Sequence, residues 1–168
     1  MASACTGSVD ISFGGKTPAE AAVELIEGDT MAEQLGVGPI ADAVCQAPLN
    51  QDVGTVFTCT AQSEGQTMNF DVVLEEDDRI FAGPTNVIDS AALPLLETAA
   101  AQELNSQNGF ALTEDAMDCG DSSVILDANQ QMPCALTNPD NGVVFDAVVT
   151  VTDTETGTFD VEIVGEAS

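Results

Sequence analysis

The chain has 168 residues and a formal net charge of −27, because 29 aspartates and glutamates stand against only Lys16 and Arg79. This balance excludes a nucleic-acid partner, since almost no side chain is available to neutralise phosphates, and it predicts repulsion from anionic membrane surfaces. Hydrophobic residues form 44% of the sequence, which excludes a disordered acidic tail, and no apolar run reaches the roughly twenty residues of a spanning helix. We interpret the acidic surface as an adaptation to a salty or external medium, the alternative being a match to a basic partner.

Residues 1–16 are predicted to form a tether. Ala2-Ser3-Ala4-Cys5 resembles the end of a bacterial lipoprotein signal, in which small residues precede the cysteine that receives lipid. Of the five cysteines, four fall into two similarly spaced pairs and Cys5 is left over. We therefore predict that Cys5 is the lipidation site, the alternative being an ordinary free thiol after a native Met1.

A first unit is predicted over residues 17–88, beginning with a helix. Residues 17–20 read Thr-Pro-Ala-Glu, which is a capping box with proline at the first helical position. Helical spacing of apolar residues continues until Gly28 interrupts it. The pattern predicts either one helix kinked near Gly28 or two short helices, the second capped at Thr30 and ending at Gly36 or Gly38.

The sheet of the first unit is predicted from alternating apolar and polar residues. Strands are expected over residues 55–60, 67–74 and 79–82. Ser63-Glu64-Gly65-Gln66 has the composition of a hairpin turn. The sequence Gly83-Pro84-Thr85-Asn86 is the predicted stop before the second unit.

The second unit is predicted over residues 89–168 in the same order. Its helix carries an apolar stripe, with Ser90 as a candidate cap, Pro94 in the first turn and Asn108-Gly109 at its end. Residues 138–142 form a strong turn signal. Further strands are predicted over residues 123–126, 132–136, 143–151 and 159–163.

The remaining four cysteines are predicted to form two disulfides, Cys45–Cys59 and Cys119–Cys134. Thirteen and fourteen residues separate the partners, whereas zinc sites use tight cysteine hooks and the chain has no histidine. A redox C-x-x-C motif is absent as well. Disulfides imply an oxidising compartment, and each closes a loop worth roughly 3 kcal/mol in the chain-entropy model.

Equal spacings indicate a tandem repeat. Cys134 follows Cys59, and Phe145 follows Phe70, at one interval of about 75 residues. The predicted fold class is therefore α+β, with two repeat units. Each unit is expected to pack a helix, possibly broken, on a three- to four-stranded antiparallel sheet pinned by one disulfide.

The cysteine pattern also resembles a known family. Val53-Gly54-Thr55 precedes Cys59, and a Gly-Gln-x-x-x-Phe-x-Val strand over residues 65–72 follows it. This arrangement resembles the actinobacterial domain of unknown function 4333, over residues 17–88 directly and over residues 91–164 mainly through the internal repeat. The resemblance implies a short cell-envelope lipoprotein with one helix and a disulfide-pinned antiparallel sheet, and it implies no catalytic residues.

A second likeness concerns architecture alone. The family of secreted β-lactamase inhibitory proteins is similar in being a tandem of stapled helix-and-sheet units of this size. Ile11-Ser12-Phe13-Gly14 is similar to the opening of its repeat. That family binds through an aromatic-rich concave face, whereas this chain has no tryptophan or tyrosine and seven phenylalanines.

No constellation of catalytic residues stands out. Histidine and tyrosine are absent, the single lysine lies near the predicted tether, and no nucleophile, phosphate-loop or metalloprotease motif occurs. Carboxylates at residues 75–78, 140–142 and 153–155 are candidate calcium ligands. None has the spacing of an EF-hand, and all fall where a hairpin needs a polar turn, so we predict no metal site.

We therefore predict a non-enzymatic, monomeric extracytoplasmic lipoprotein or secreted module without a cofactor, which binds a protein or envelope component. A lipid anchor would be its only contact with membrane. One alternative is a structural envelope protein stabilised by calcium or salt. Another is an inhibitor of a secreted enzyme, with an exposed apolar or Phe-bearing concave face between the two units. The sequence identifies no ligand-binding residues.

Overall fold

The computed structural model describes residues 9–12, 15–153 and 156–166, with side chains described from residue 15 onward. The described chain is α+β, with three helices and antiparallel sheets. It divides into two compact units, Met1–Val87 and Ile88–Ser168, called here the first and second unit. Among the described residues, no helix is long and apolar enough to cross a membrane.

Helix α1 (Pro18–Ile26) begins where the capping box predicts. The Glu20 amide N donates to Thr17 Oγ1 at 3.3 Å, and the Thr17 amide N donates to Glu20 Oε2 at 2.9 Å. These bonds satisfy backbone donors that the first turn of a helix otherwise leaves unpaired. The buried face of α1 consists of Pro18, Ala21, Ala22, Leu25 and Ile26.

A second short helix, α2 (Asp29–Leu35), follows at once, so the helix is broken at Gly28. Gly36 ends it in the left-handed conformation with φ 63°, at one of the two predicted positions. The predicted cap at Thr30 is wrong. Thr30 already lies inside the helix, and Gly28 occupies the N-cap without a side-chain hydrogen bond.

The first unit holds a five-stranded antiparallel sheet in the order β1-β5-β4-β3-β2. Its strands are β1 (Val9–Ser12), β2 (Ile40–Cys45), β3 (Val56–Ser63), β4 (Gln66–Glu75) and β5 (Arg79–Pro84). The prediction of three or four strands is wrong for this sheet. Strand β1 pairs with β5 inside the stretch predicted as a tether, so that prediction is wrong for these four residues.

Strand β2 escapes prediction because its sequence lacks alternation. Only Ile40 in it is buried. A bulge between Ala41 and Val44 interrupts its pairing with β3, and Asp42 there adopts φ 54°. Backbone pairing rather than side-chain burial therefore places β2 at the sheet edge.

The β3–β4 hairpin follows the prediction. Glu64 and Gly65 connect Ser63 to Gln66, and both adopt positive φ, 52° and 80°. Two central residues of positive φ match the twist of the flanking strands. The hairpin aligns the buried side chains on one face of the sheet: Phe57, Cys59, Ala61, Met68, Phe70, Val72 and Leu74.

Helix α3 (Leu93–Asn108) opens the second unit. It has Pro94 in its first turn and ends at Gly109 with φ 68°, both as predicted. The predicted cap at Ser90 is wrong, since Ala92 is the N-cap. The Ala92 amide N donates to Asp89 Oδ1 at 2.9 Å, so Asp89 supplies the acceptor for the helix start.

A four-stranded antiparallel sheet of order β11-β10-β9-β7 forms the rest of the second unit. Its strands are β7 (Met117–Asp118), β9 (Gln131–Thr137), β10 (Val144–Asp153) and β11 (Thr158–Glu166). Strands β6 (Val87–Ile88) and β8 (Val124–Ile125) pair separately. The buried core consists mainly of Leu93, Ala100 and Leu104 of α3 with Met132, Leu136, Ala147, Val149 and Val161 of the sheet.

Disulfide bonds are present, as expected. Cys45 and Cys59 are directly paired residues of β2 and β3, with a Cα–Cα distance of 4.0 Å. Cys119, one residue beyond β7, bonds to Cys134 of β9, with a Cα–Cα distance of 4.2 Å. Each bond therefore fastens an edge strand to its neighbour.

The strand registers do not support the predicted equivalence of Phe70 and Phe145. Cys59 is directly opposite Phe70, whereas Cys134 is opposite Ala147. The physical reason is loop length. Two residues connect β3 to β4, and residues 138–143 connect β9 to β10, so the second hairpin is displaced by two positions.

Candidate binding pocket

A cavity of about 270 Å³ opens at the margin of the second unit's core. Its lining consists of Phe110, Leu112, Leu136, Asn138, Phe145 and Ile163. Five of these six side chains are apolar, and the sixth is an uncharged amide. Small-molecule sites are typically concave and apolar with a few polar groups, so this cavity is the candidate functional site.

The floor of the cavity is set by the pairing of three strands. Leu136 of β9 and Phe145 of β10 are directly opposite each other. On the other side of β10, Glu166 of β11 is opposite Phe145 and Ile163 is opposite Ala147. These two residues of β11 are three apart, and alternation alone would place them on opposite faces.

A β-bulge at this point explains why these two residues of β11 lie on the same face of the sheet. The register between β10 and β11 shifts between Asp146 and Ala147, which leaves Val164 without a direct partner. Bulges insert one extra residue into a strand and redirect its side chains. Ile163 and Glu166 therefore both come to the face of the sheet that carries Phe145, with a carboxylate at the edge of an apolar row.

The segment after α3 forms a second wall and is held in place. Asn105 Nδ2 donates to the Leu112 carbonyl O at 2.9 Å, and the Leu112 amide N donates to Asn105 Oδ1 at 2.8 Å. This pair of bonds fixes Leu112, while Phe110 between it and Gly109 remains 46% exposed. The wall is therefore anchored at one residue and open to solvent at the other.

Asn138 forms the third wall at the β9–β10 turn. Its side-chain Oδ1 accepts from the Asp140 amide N at 2.9 Å, and its backbone N donates to the Val143 carbonyl O at 2.8 Å. The Gly142 amide N donates to the Asn138 carbonyl O at 2.8 Å. The oxygen of the one polar side chain of the lining thus stabilises the turn.

The electrostatic surroundings of the cavity are of one sign. Residues 88–168 contain no lysine, arginine or histidine, so the charged side chains of the second unit are all carboxylates. Glu166 is exposed and directly opposite Phe145. Glu162 and Asp160 are opposite Val148 and Thr150, on the other face of the same sheet.

Among the described residues of the second unit, the carboxyl groups of Asp115 and Asp127 have pKa values below their ordinary range, and both lie at turns. The Gln131 backbone N–H, followed by donors of Asn129, lowers the pKa of Asp127. A hydrogen bond from the Thr113 side chain is the largest cause of the lowered pKa of Asp115. Both carboxylates therefore serve as hydrogen-bond acceptors that shape the backbone, and neither lines the cavity.

Of the predicted site residues, the four paired cysteines lie in the disulfides and Cys5 lies outside the described residues. The acidic stretch 75–78 is the β4–β5 connection, where Asp77 and Asp78 adopt positive φ, 60° and 55°. Residues 140–142 belong to the β9–β10 turn, and residues 154 and 155 are not described. Within the described part of the chain, no group of three or more acidic or cysteine side chains is arranged to hold a metal ion.

The sequence did not identify the cavity. Leu136, Phe145 and Ile163 were expected in strands, but their alternation does not distinguish a sealed core from an open margin. The available signal was Phe110-Ala111-Leu112, an apolar group placed directly after the helix stop at Gly109. Apolar residues in a connecting segment need a partner surface, and here they cover one side of the cavity.

Comparisons with family models, with curated proteins and with solved structures find no match to this chain. The likeness to the domain of unknown function 4333 and the likeness to the β-lactamase inhibitory family both stay predictions.

Proposed function

We propose that the protein is a non-enzymatic, extracytoplasmic binding module whose pocket in the second unit takes a small apolar group. The convergence of five apolar side chains on a cavity of about 270 Å³ carries this proposal. An apolar cavity of roughly 150 Å³ is enough to hold benzene. The pocket therefore has room for one substituted ring or a short branched alkyl group, supplied by a free ligand or by an envelope component.

The lining supports binding without rearrangement. Strand pairing positions Phe145 and Ile163, the two hydrogen bonds to Asn105 position Leu112, and the Cys119–Cys134 bond fastens β7 beside β9. A preformed site loses less conformational freedom on binding than a mobile one. The scaffold thus favours a ligand that fits the existing shape.

The absence of catalytic chemistry in the lining supports a binding role. Its side chains are phenylalanine, leucine, isoleucine and asparagine, none of which serves as a nucleophile or general acid–base at neutral pH. The sequence has no histidine or tyrosine, and four of its five cysteines are oxidised. We therefore propose that the bound group is released chemically unchanged.

We further propose an oxidising location with a lipid anchor at Cys5. The two disulfides support the compartment, since such bonds persist outside the reducing cytosol. We also propose that the two units are a tandem repeat with one disulfide each.

Phase partitioning in detergent tests the lipid anchor at Cys5. The full-length protein from its native host should enter the detergent phase, and Cys5→Ser should return it to the aqueous phase.

Methyl-resolved NMR tests the pocket itself. Titration with tert-butylbenzene should shift the methyl signals of Leu112, Leu136 and Ile163 together. Phe110→Ala removes a wall at an exposed position and should weaken binding about five- to tenfold, in line with the loss of a partly buried aromatic contact. Leu95→Ala is the matched control, because Leu95 is 68% exposed on α3 and lies outside the lining.

The two outcomes of this titration are distinct. Joint shifts of the three methyl signals, weakened by Phe110→Ala and unchanged by Leu95→Ala, support the pocket as the binding site. Unchanged methyl signals at saturating hydrocarbon would contradict the proposed function, as would a robust turnover lost on changing a single carboxylate.

A further inference from the structure

We infer that the ligand of this pocket is a small organic ammonium cation with apolar substituents, an inference that rests on the proposed binding function of the pocket. Three observations point to this class. Two phenyl rings belong to the lining, Glu166 is paired directly opposite one of them, Phe145, and the surrounding unit has no positive side chain.

The aromatic lining favours a cation over a neutral group of equal size. Phe110 and Phe145 are both part of the cavity surface. The face of an aromatic ring attracts a cation within about 6 Å of its centre, and quaternary ammonium groups are bound in this way. Aliphatic substituents on the same nitrogen would contact Leu112, Leu136 and Ile163.

A carboxylate paired with one lining residue can supply a compensating charge. Glu166 is directly opposite Phe145, and side chains opposed across antiparallel strands have Cβ atoms roughly 4.5–5.5 Å apart. The bulge at Val164 is what brings this carboxylate to the cavity face. A cation seated on Phe145 would therefore be within reach of a carboxylate that remains solvated.

The same surroundings disfavour an anionic ligand. An anion in this cavity would find neither lysine nor arginine in the second unit, and every charged side chain around it would repel it. Fatty acids and phosphate esters are thus poor candidates, although their apolar parts would fit.

The size of the cavity points to a small molecule rather than to a peptide. A volume of about 270 Å³ is just below the roughly 300–1,000 Å³ of typical ligand pockets. The pinned segment at Leu112 and the turn at Asn138 limit it on two sides. One ring or branched alkyl group attached to a charged nitrogen would fill such a space.

Three probes of similar shape separate charge from apolar fit. Phenyltrimethylammonium carries the cation, tert-butylbenzene is its neutral carbon isostere, and benzenesulfonate carries an anion. The methyl signals of Leu112, Leu136 and Ile163 report binding at the pocket. We expect the cation to bind about tenfold more tightly than the isostere, and the anion to leave the three signals unchanged.

Three variants assign the preference to named groups. Phe110→Leu keeps an apolar wall but removes a ring, and it should weaken cation binding about threefold while leaving the isostere nearly unaffected. Glu166→Gln should weaken cation binding about threefold at low salt. Glu162→Gln removes the same charge from the opposite face of β11 and should have little effect.

The outcomes separate this inference from the proposed function. Equal binding of the cation and its isostere would overturn the ammonium assignment and leave the apolar pocket intact. Equal effects of Glu166→Gln and Glu162→Gln would also overturn it, because they would indicate attraction by net charge alone. If none of the three methyl signals shifted with any probe, both the ammonium assignment and the proposed binding function would be contradicted. Tighter binding of a short Lys-Phe-Lys peptide than of phenyltrimethylammonium would overturn the choice of a small molecule.

Discussion

The two units treat the same position of their sheets differently. In each unit, the second cysteine of the disulfide has a directly opposite residue on the next strand. Two positions before that residue, the chain has Met68 in the first unit and Phe145 in the second. Met68 is fully buried, with 0% of its surface exposed, whereas Phe145 is half-buried and lines the cavity. An equivalent point of strand pairing is thus sealed in one unit and open in the other.

A buried asparagine closes the margin of the first unit's sheet beside Met68. Asn86 is 2% exposed; its Oδ1 accepts from the Asn69 amide N at 2.8 Å, and its Nδ2 donates to the Thr67 carbonyl O at 2.9 Å. These bonds complete the backbone hydrogen bonding at the end of β4 beside Met68. In the second unit, the corresponding beginning of β10 follows directly on the long β9–β10 turn. Strand β11 has its bulge beside this point.

This difference teaches where function resides in such a scaffold. The disulfide, the hairpin and the alternating strands stabilise both sheets and do not by themselves create a site. The pocket arises where loop length, a bulge and an apolar segment after a helix depart from the simpler hairpin. The sealed margin of the first unit and the open margin of the second should therefore respond differently to truncation.

The largest expected effect is the loss of stability on truncating the sealed margin. Met68→Ala should destabilise the first unit by about 2–5 kcal/mol, because a fully buried side chain leaves a cavity. Phe145→Ala should cost the second unit only about 1–2 kcal/mol, because Phe145 is partly buried and borders a cavity that already exists. Urea titration followed at backbone amides of each unit measures both values, and equal losses would contradict the distinction.

Removal of the disulfides should lower the stability of both units to a similar extent. The disulfides span 14 and 15 residues in sequence, so the chain-entropy model gives about 3 kcal/mol for each. Replacement of Cys45 and Cys59 by alanine should therefore cost the first unit about as much as the equivalent change costs the second. A much smaller loss in either unit would indicate that its edge strand is held by other contacts.

The closing asparagine should contribute less than the core but still measurably. Asn86→Ala removes the partners of one part-buried donor and one part-buried acceptor, and we expect a total loss of about 1–2 kcal/mol because water can reach and replace these bonds. Solvent entering beside Met68 should also increase amide exchange at Asn69. Asn108→Ala, which removes a single weak bond to the Leu104 carbonyl, is the control; similar losses would contradict a special role for Asn86.

Local signals in the sequence correctly predict the elements that depend on near neighbours. The capping box at Thr17, the positive-φ hairpin at Glu64-Gly65 and the helix end at Gly109 are examples. Strands β1 and β2 were missed, because their positions depend on pairing with distant strands rather than on their own alternation. The cavity was missed for a related reason: only the register shows that Phe145 faces Leu136 and not the disulfide.

Acid titration should weaken both units through different carboxylates. Glu20 in the first unit has its pKa lowered mainly by the Thr17 backbone N–H, and Asp127 in the second mainly by that of Gln131. A lowered folded-state pKa gives stability that is present above the unfolded value, near 4.5 for Glu20 and 3.8 for Asp127, and is lost as pH falls through the folded value.

Neutral variants isolate these contributions. Glu20→Gln should flatten the decline in stability of the first unit below about pH 4.5, and Asp127→Asn should do the same for the second below about pH 4. Because both groups are exposed, we expect small effects, visible as changed slopes in urea midpoints measured against pH. Unchanged slopes in both variants would show that these hydrogen bonds persist in the unfolded chain or contribute nothing.

The smallest expected effect is that of calcium. The turn at residues 75–78 has Asp77 and Asp78 in the left-handed conformation, which shapes a tight strand connection, and Asp140 lies in the turn that Asn138 organises. Neither turn has three acidic side chains converging on one point within the described residues. At fixed ionic strength, millimolar calcium should therefore shift Tm by less than about 1 °C, beyond the general screening of a highly charged chain. A shift of several degrees that is reversed by chelator would instead favour a cation-stabilised structural protein, and residue-resolved exchange would show which unit supplies the ligands.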